Sequence, residues 1–458
     1  MIHAGDYMER DKIPTGESLQ QLFPLPLTSM ERFHLLDNSD DAPNYIYCRL
    51  EFSGTIQGEH AEQALQITIQ RHPIMGSEIK NEDGKLAWHW NPELRKPIDW
   101  QEPATDSVDL PELTDSLWRV VARQRDNKTT FWIYGIHVLS DGIGAISFVT
   151  DWLKIYHNLC AGQPATHRLR KLDQKLLKHR GNLGLLKRSY LKHLWKQPLG
   201  FYGALKFVFR KAAVFSASSN KKAWDYKTQP VVIGDWIDAK ATEQLTAEAQ
   251  RRNVSLHSLL LGHYFVHLHH WCQTHHPEQT KKWIRVIHPF NIRDYADRRM
   301  TTTNRAAIVQ IDRRDKDFDD FQGLVENLDR EVSVIHRWQL SKLFLISIRM
   351  MSAIPGMLRR SATDKKSRGT SVFTNLSESF GRAGFAVENE NLVVGDLQLT
   401  AFDLVGPVRE GTPVNMTVQR HLGKLRLSLH ADPQVLTGEK PKEFLAAYSN
   451  RLKASVLE

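Results

Sequence analysis

Thr129-Thr-Phe-Trp-Ile-Tyr-Gly-Ile-His-Val-Leu-Ser-Asp-Gly142 is the stretch that decides the fold of this chain. Thr129 to Ile136 has the β-branched and aromatic character of a strand, and Ile143, Ile146, Phe148, Val149, Leu153 and Ile155 describe a mostly buried helix running from Gly142 to near Cys160. Between the two lies His-x-x-x-Asp-Gly. An imidazole with an ordinary pKa of ~6.5 accepts a proton from an alcohol or amine at neutral pH, so His137 suits a general base for acyl transfer. Asp141 can organise the site, or it can simply cap the helix that starts at Gly142. Gly142 permits a tight turn. An acyl group that arrives as a thioester is already activated and needs no nucleophile from the protein.

At 458 residues the chain exceeds the usual size of one hydrophobic core, so two domains or two fused half-domains are expected. With 41% hydrophobic and 25% charged residues, the composition is globular. The N-terminal Met-Ile-His-Ala-Gly-Asp-Tyr-Met-Glu-Arg-Asp has acids where a signal peptide is positive, and no run approaches the ~18 apolar residues of a membrane span. The expected location is the cytoplasm. Cys48, Cys160 and Cys272 are few and far apart, which suits buried free thiols in a reducing compartment. The net charge of +9 is concentrated: between Arg168 and Lys222 there are fifteen Lys or Arg and one acid, Asp173, leaving 46 basic and 51 acidic residues elsewhere.

Working outward, Tyr45 to Phe52 reads as a strand and His60 to Arg71 as a helix closed by Pro73. Ser77 to Lys80 and Leu86 to Trp90 form a hairpin through Asp83-Gly84. Leu110 to Arg125 is expected to be a helix. Gly162-Gln-Pro164 ends a first half, 1–165. Residues 166–223 read as a basic amphipathic linker, a helix pair with Leu186, Tyr190, Leu194 and Trp195, then Phe201, Leu205, Val208 and Phe209 at helical spacing, broken at Pro198-Leu-Gly200. A second half, 224–458, begins near Trp224. It contains strands at Val231–Trp236, Trp283–Pro289, Ala306–Ile311, Ser371–Leu376, Val414–Gln419 and Lys424–His430, with helices at Ala239–Arg252, Ser255–Trp271 and around 317–360, the last followed by a polar loop, Ser361 to Ser367.

Taken in order, Leu27-Thr-Ser-Met-Glu31, Ala64-Leu-Gln-Ile-Thr-Ile-Gln-Arg-His-Pro73, His137 to Gly142, His288-Pro-Phe-Asn-Ile-Arg293, Phe373-Thr-Asn-Leu376 and Gly423-Lys-Leu-Arg-Leu-Ser-Leu-His-Ala-Asp432 resemble the CoA-dependent acyltransferase superfamily. That superfamily includes chloramphenicol acetyltransferase, condensation domains, polyketide-associated acyltransferases, alcohol acetyltransferases and wax ester synthases. The resemblance runs from Leu27 to the C-terminus. It implies an α/β fold of two chloramphenicol acetyltransferase-like half-domains, each a mixed sheet packed by helices, with an active-site tunnel between them and His137 at its middle. It also implies His137 as general base, Asp141 as a structural partner of Arg293 from the other half, and Gly142 in the turn. Thr374 and Asn375 are candidates to stabilise the oxyanion or bind substrate, or they are simple strand-end polar residues. Two departures stand out. Ile136 precedes His137 where condensation domains and wax synthases commonly carry a second His, and Arg420-His-Leu-Gly423 replaces the wax-synthase Ser-Tyr-Asn-Gly. The plant-type Asp-Phe-Gly-Trp-Gly is absent.

The implied activity is acyl transfer from acyl-CoA or an acyl carrier protein to a hydroxyl, with an amine acceptor, or a silent carrier- or lipid-binding member of the fold, as alternatives. No permanently bound cofactor or metal is expected: His263 and His267 are four residues apart, but no acid in their helix completes a site. Gly142-Ile-Gly144 lacks the third glycine of a nucleotide loop, and no Gly-x-Ser-x-Gly or Walker sequence occurs. The basic segment 168–222 is open to three readings: a solvated face over the seam between the halves, a peripheral contact with an anionic membrane suiting a lipid acceptor, or attraction of a phosphorylated donor or acidic carrier protein. No nucleic-acid motif accompanies it.

Overall fold

Lys128–Ile136 is a strand near the middle of a seven-stranded sheet. The computed structural model describes residues 13–38, 43–93, 97–102, 110, 113, 116–215, 231–364, 369–376, 378–381, 383–409 and 411–456, without the side chains of 204, 205, 207 and 208. Trp224, where the second half is expected to begin, and the side chains of Leu205 and Val208 lie outside the described residues, as does most of the loop after Asp364.

Tyr45–Ser53 and Trp118–Arg125 flank Lys128–Ile136, both antiparallel to it. A helix expected over Leu110 to Arg125 is instead a strand from Trp118 onward. Its pairing follows from the turn: Asp126 and Asn127 adopt φ of 49° and 58°, the left-handed pair that a two-residue hairpin requires, and Arg125 sits opposite Lys128. Trp118, Val120 and Ala122 then bury the face that packs on the core.

The other edge of this sheet comes from far along the chain. Leu397–Val405 pairs antiparallel with Tyr45–Ser53, followed outward by Asn391–Val394 and Val387–Glu388. A division at 224 therefore does not coincide with the sheets, since residues of the second half complete the sheet of the first. The signal was present in the alternation of Leu397-Gln-Leu-Thr-Ala-Phe and in Gly395, whose φ of 62° turns the hairpin.

A six-stranded sheet has the order 306–313, 284–291, 371–376, 414–421, 424–431, 231–237. Ser371–Leu376 runs parallel to both neighbours, so their ends open on one side, where the chain leaves Asn291 toward Arg293. The helices Gly142–Cys160 and Gly58–Arg71 cover the first sheet through Phe148, Trp152, Ala64 and Leu65. Leu256–His275 and Lys440–Ala454 cover the second through Leu261, Phe265, Phe444 and Tyr448.

One buried charge ties the two sheets together. Asp403, on Leu397–Val405, accepts from Arg49 at 2.6 Å in its own sheet and from Arg426 at 2.8 Å and Ser428 at 2.7 Å in the other. Burial alone would raise its carboxyl, but the two guanidinium groups hold it below the ordinary value.

The basic segment is not a helix pair. Among the described residues it forms a 3-10 helix at Gln174–His179, a single turn at Arg188–Leu191, a 3-10 turn at Leu194–Lys196 and one longer helix, Pro198–Phe209. Pro198 starts that helix because the first position needs no N–H and favours the φ that proline imposes.

Candidate active site

The strand ends at Ile136, and the chain turns at once into the helix Gly142–Cys160. Asp141 caps that helix, its Oδ1 accepting from the Gly144 N–H at 2.8 Å. Its Oδ2 accepts from Arg293 Nη1 at 2.7 Å and from the Arg305 N–H at 2.6 Å. The carboxylate is buried, which by itself would raise its pKa; the Arg293 charge and these hydrogen bonds outweigh burial and hold it below the ordinary carboxylate value. Arg293 Nη2 donates onward to the Thr303 carbonyl at 2.7 Å.

Thr301 to Arg305 is the loop that sequence reading passed over. Thr302 donates through its N–H to His72 Nδ1 at 2.9 Å, and its hydroxyl reaches the Gly144 carbonyl at 3.0 Å. His72 is oriented from behind by Asp151, 3.0 Å from its Nε2. All five residues of the loop are buried although all are polar or charged. Such a run just before the strand Ala306–Arg313 was the available signal, because buried polar groups must find partners.

This loop is also why a glycine is needed, and the need falls at Gly144. A Cβ there would lie 2.4 Å from Ser140 Oγ and 2.9 Å from the Thr303 carbonyl oxygen, whereas at Gly142 the nearest atom, on Leu376, is an ordinary 3.5 Å away.

His137 is held from both halves. Its backbone N–H donates to the Asn44 carbonyl at 2.6 Å, and Asn304 Nδ2 lies 3.0 Å from the His137 Nδ1 and donates to the His137 main-chain carbonyl at 3.1 Å. The ring meets the carbonyls of His137 itself and of Ser140. With Nδ1–H turned to its own carbonyl, Nε2 is left bare to take a proton; with Nδ1 accepting from Asn304, the proton sits on Nε2. Burial pushes the pKa down, the hydrogen bond to its own carbonyl and Asp141 oppose this, and the net result is below the ordinary histidine value. The ring is therefore neutral at physiological pH.

A second imidazole lies against it, unsuspected from the sequence. His34 stacks on His137 with ring centroids 4.3 Å apart and planes 6° apart. It stands on the helix Ser29–Asp37, which Thr28 and Glu31 start with a capping box, and Asn44 Nδ2 holds its Nδ1 at 3.1 Å. That amide nitrogen also faces two acceptors, the His34 carbonyl and Asp37, so it donates to Nδ1 and leaves the His34 proton on Nε2. Burial, then the neighbouring His137, drives the His34 pKa well down. Ile136, where a tandem histidine was a family option, is instead core.

Thr374 and Asn375 lie half-buried on Ser371–Leu376. The strand's last residue, Leu376, touches the Gly142 turn, but the Asn375 amide engages His257 Nδ1 at 3.0 Å. His257 in turn packs on His288, 4.7 Å between ring centroids, and burial lowers both, to about 3 and about 4. His263 and His267 point into the core of the second half, against Phe321 and Phe444. Burial pushes the Cys272 thiol up to about 12 and raises Cys48 and Cys160 as well, so none is poised as a thiolate.

Two cavities border the site. A small apolar one of about 50 Å³ lies behind the His137 turn, between Ile136, Leu139, Trp118 and Thr302. A larger one of about 310 Å³ has Asn304, Arg305, Leu183, Leu345 and Arg349 in its walls.

No protein-family model matches the sequence, and no curated protein matches it. Solved structures do match over nearly the whole chain. Polyketide synthase associated protein 5 from Mycobacterium tuberculosis is 12% identical with a TM-score of 0.62, covering 94% of this chain and 98% of that one. The first condensation domain of the calcium-dependent antibiotic synthetase, in complex with a substrate analogue, is 13% identical with a TM-score of 0.65, covering 95% and 97%. The starter condensation domain of rhizomide synthetase, a double mutant in complex with C8-CoA and Leu-SNAC, is 13% identical with a TM-score of 0.65, covering 95% of each chain.

Proposed function

We propose that this chain, which has the fold of the condensation domains and of the polyketide synthase associated protein, transfers an acyl group from a CoA or carrier-protein thioester to a hydroxyl acceptor, with His137 as general base. The observation that carries this reading is His137 itself, a neutral imidazole on a backbone fixed from both halves: its main-chain N–H donates to the Asn44 carbonyl and its main-chain carbonyl accepts from Asn304. In the tautomer whose Nδ1–H is turned to the residue's own backbone carbonyl, with Asn304 donating to that carbonyl, Nε2 is bare and takes the acceptor's proton as its oxygen attacks the thioester carbonyl. The tetrahedral oxyanion then collapses, the C–S bond breaks, and the imidazolium returns the proton to the departing thiolate. Asp141 and Arg293 are positioning residues in this scheme. They fix the turn that presents His137 and touch no substrate.

An amine acceptor is the second reading, favoured by one comparison: the rhizomide starter domain was crystallised with both an acyl-CoA and an aminoacyl thioester analogue. The same base would serve either acceptor. Thiol release is to be measured from a panel of acyl-CoAs with alcohols and with amines. Faster release with alcohols than amines, lost in His137→Ala, is expected. Equal rates for wild type and His137→Ala would refute the role given to His137, and amine-dependent release alone would select the second reading.

A further inference from the structure

We propose that the surface formed by residues 186–209 docks this protein onto an anionic lipid bilayer. Large apolar side chains ordinarily leave water first, yet Leu186 is 89% exposed, Trp195 71%, Phe201 62%, Tyr202 59% and Phe209 79%. Eight of the fifteen exposed large apolar side chains among the described residues fall in this one stretch, so they form a concentration and not a scatter. Concentrations of that kind mark interaction surfaces.

The stretch is nevertheless firmly attached to the body of the protein. Tyr190 is buried, Gln197 donates to the Trp338 carbonyl at 3.1 Å, and Gln339 donates to the Ser189 carbonyl at 3.3 Å. A Cβ on Gly200 would fall 2.0 Å from Leu343. One side of the segment is thus committed to the protein while Leu199, Tyr202, Lys206 and Phe209, at helical spacing, share another face of Pro198–Phe209.

Charge identifies the partner as a lipid surface. Residues 186–209 contain Lys187, Arg188, Lys192, Lys196 and Lys206 and no acid, with Lys187 alone paired among the described residues, to Asp294. Lysines stand on the exposed aromatic rings, Lys196 3.6 Å from the Trp195 centroid and Lys206 4.5 Å from that of Tyr202. Aromatic and aliphatic side chains interleaved with Lys and Arg on a short helix suit the headgroup boundary, where the rings enter the acyl edge and the cations stay among phosphates. No helix among the described residues is long and apolar enough to cross a membrane, so the contact is peripheral. The second half extends the same chemistry: Gly200 packs against Leu340 and Leu343 at the start of the helix Lys342–Ser352, and Arg349 and Met350 on that helix and Ile354 and Arg359 after it are exposed. Arg349 also lines the cavity that reaches Asn304. On the acyl-transfer reading, that cavity would receive a lipid-borne acceptor; docking itself does not depend on that reading.

The test is flotation of the full-length protein with phosphatidylcholine vesicles and with equimolar phosphatidylcholine and phosphatidylglycerol. The wild type is expected to float with the anionic vesicles, far less with the neutral ones, and to be released by high salt. Trp195→Ser/Phe201→Ser/Phe209→Ser should stay in the soluble fraction. Arg188→Glu/Lys192→Glu/Lys211→Glu should bind at least about a hundredfold more weakly, from roughly fivefold per basic residue near an anionic surface. Both variants should keep the wild-type melting temperature and its turnover of a soluble acyl-CoA. Wild type that fails to float, or triple variants that float like wild type, would overturn the proposal. So would capture of the wild type by an acidic carrier protein, and not by vesicles, with loss in both variants. If no protein turns over acyl-CoA, the acyl-transfer reading fails and flotation still decides the docking.

Discussion

Replacing Arg293 with methionine isolates what joins the two halves beneath His137. Arg293→Met keeps the length of the side chain but removes the charge, so Asp141 keeps only the Gly144 and Arg305 N–H groups, and the buried Thr303 carbonyl loses its donor. Removing one partner of a buried ion pair costs about 3–5 kcal/mol, because the remaining charge is uncompensated. With an unfolding entropy of about 2.1 cal/mol/K per residue, the loss lowers Tm by about 3–5 °C if the 458 residues unfold together and by about 6–10 °C if the halves unfold separately. The sign of the pH dependence follows from Asp141. In the wild type its pKa lies below the unfolded value, so its contribution is present above that value and is lost as the pH falls through the folded one. Without Arg293, burial dominates and the carboxyl protonates more readily. The deficit of the variant should therefore be largest near neutrality and shrink toward pH ~4, as the carboxyl becomes neutral and no longer needs a cation. Differential scanning fluorimetry across that range measures both. Asp141→Asn/Arg293→Met should recover part of the loss. A Tm within 1 °C of wild type, or a deficit independent of pH, would refute this account of the pair.

If His137 is the base proposed above, its depressed pKa places the midpoint of the acid limb of the pH–rate profile below the ordinary histidine value of ~6.5, and His137→Ala should lower kcat by about 10²–10⁴. Asn304→Leu should leave the fold intact, lower kcat with little change in KM and shift that acid limb, since Asn304 holds both Nδ1 and the carbonyl of His137; an unchanged profile would remove it from the site. Gly144→Ala should destabilise by about 1–3 kcal/mol through its clash with Ser140 and the Thr303 carbonyl, while Gly142→Ala stays close to wild type in thermal melts. His263 and His267 are pulled by burial, and secondarily by Arg451, to about 3, so the unfolded chain takes up protons first as the pH falls below ~6.5; each should withdraw about 2 kcal/mol by pH ~5, and His263→Gln/His267→Gln should flatten the loss of Tm over that interval.

Local patterns carried the elements around the site. The strand into His137, the helix from Gly142 and the Asp83-Gly84 hairpin were legible because period, cap and turn each depend on neighbours in the chain. Trp118–Arg125 was misread because its hairpin uses Asp126-Asn127, left-handed residues without a glycine. The strand Leu397–Val405 was missed although its alternation is plain, and its place in the first sheet could not follow from alternation alone: its partner, Tyr45–Ser53, lies far away in sequence.

The sequence by itself pointed to His137 as the candidate base, and determined which element presents it and which carboxylate lies a few residues on, since these lie within one short segment. Tertiary structure alone decided what surrounds them. His34, Asn304 and the Thr301–Arg305 loop reach His137 and Asp141 through contacts that join distant segments, and the choice of Gly144 over Gly142 rests on where the Thr303 carbonyl comes to lie. The physical reason is that pKa, tautomer and close packing depend on distances across the seam between two sheets, and those distances exist only once both have formed.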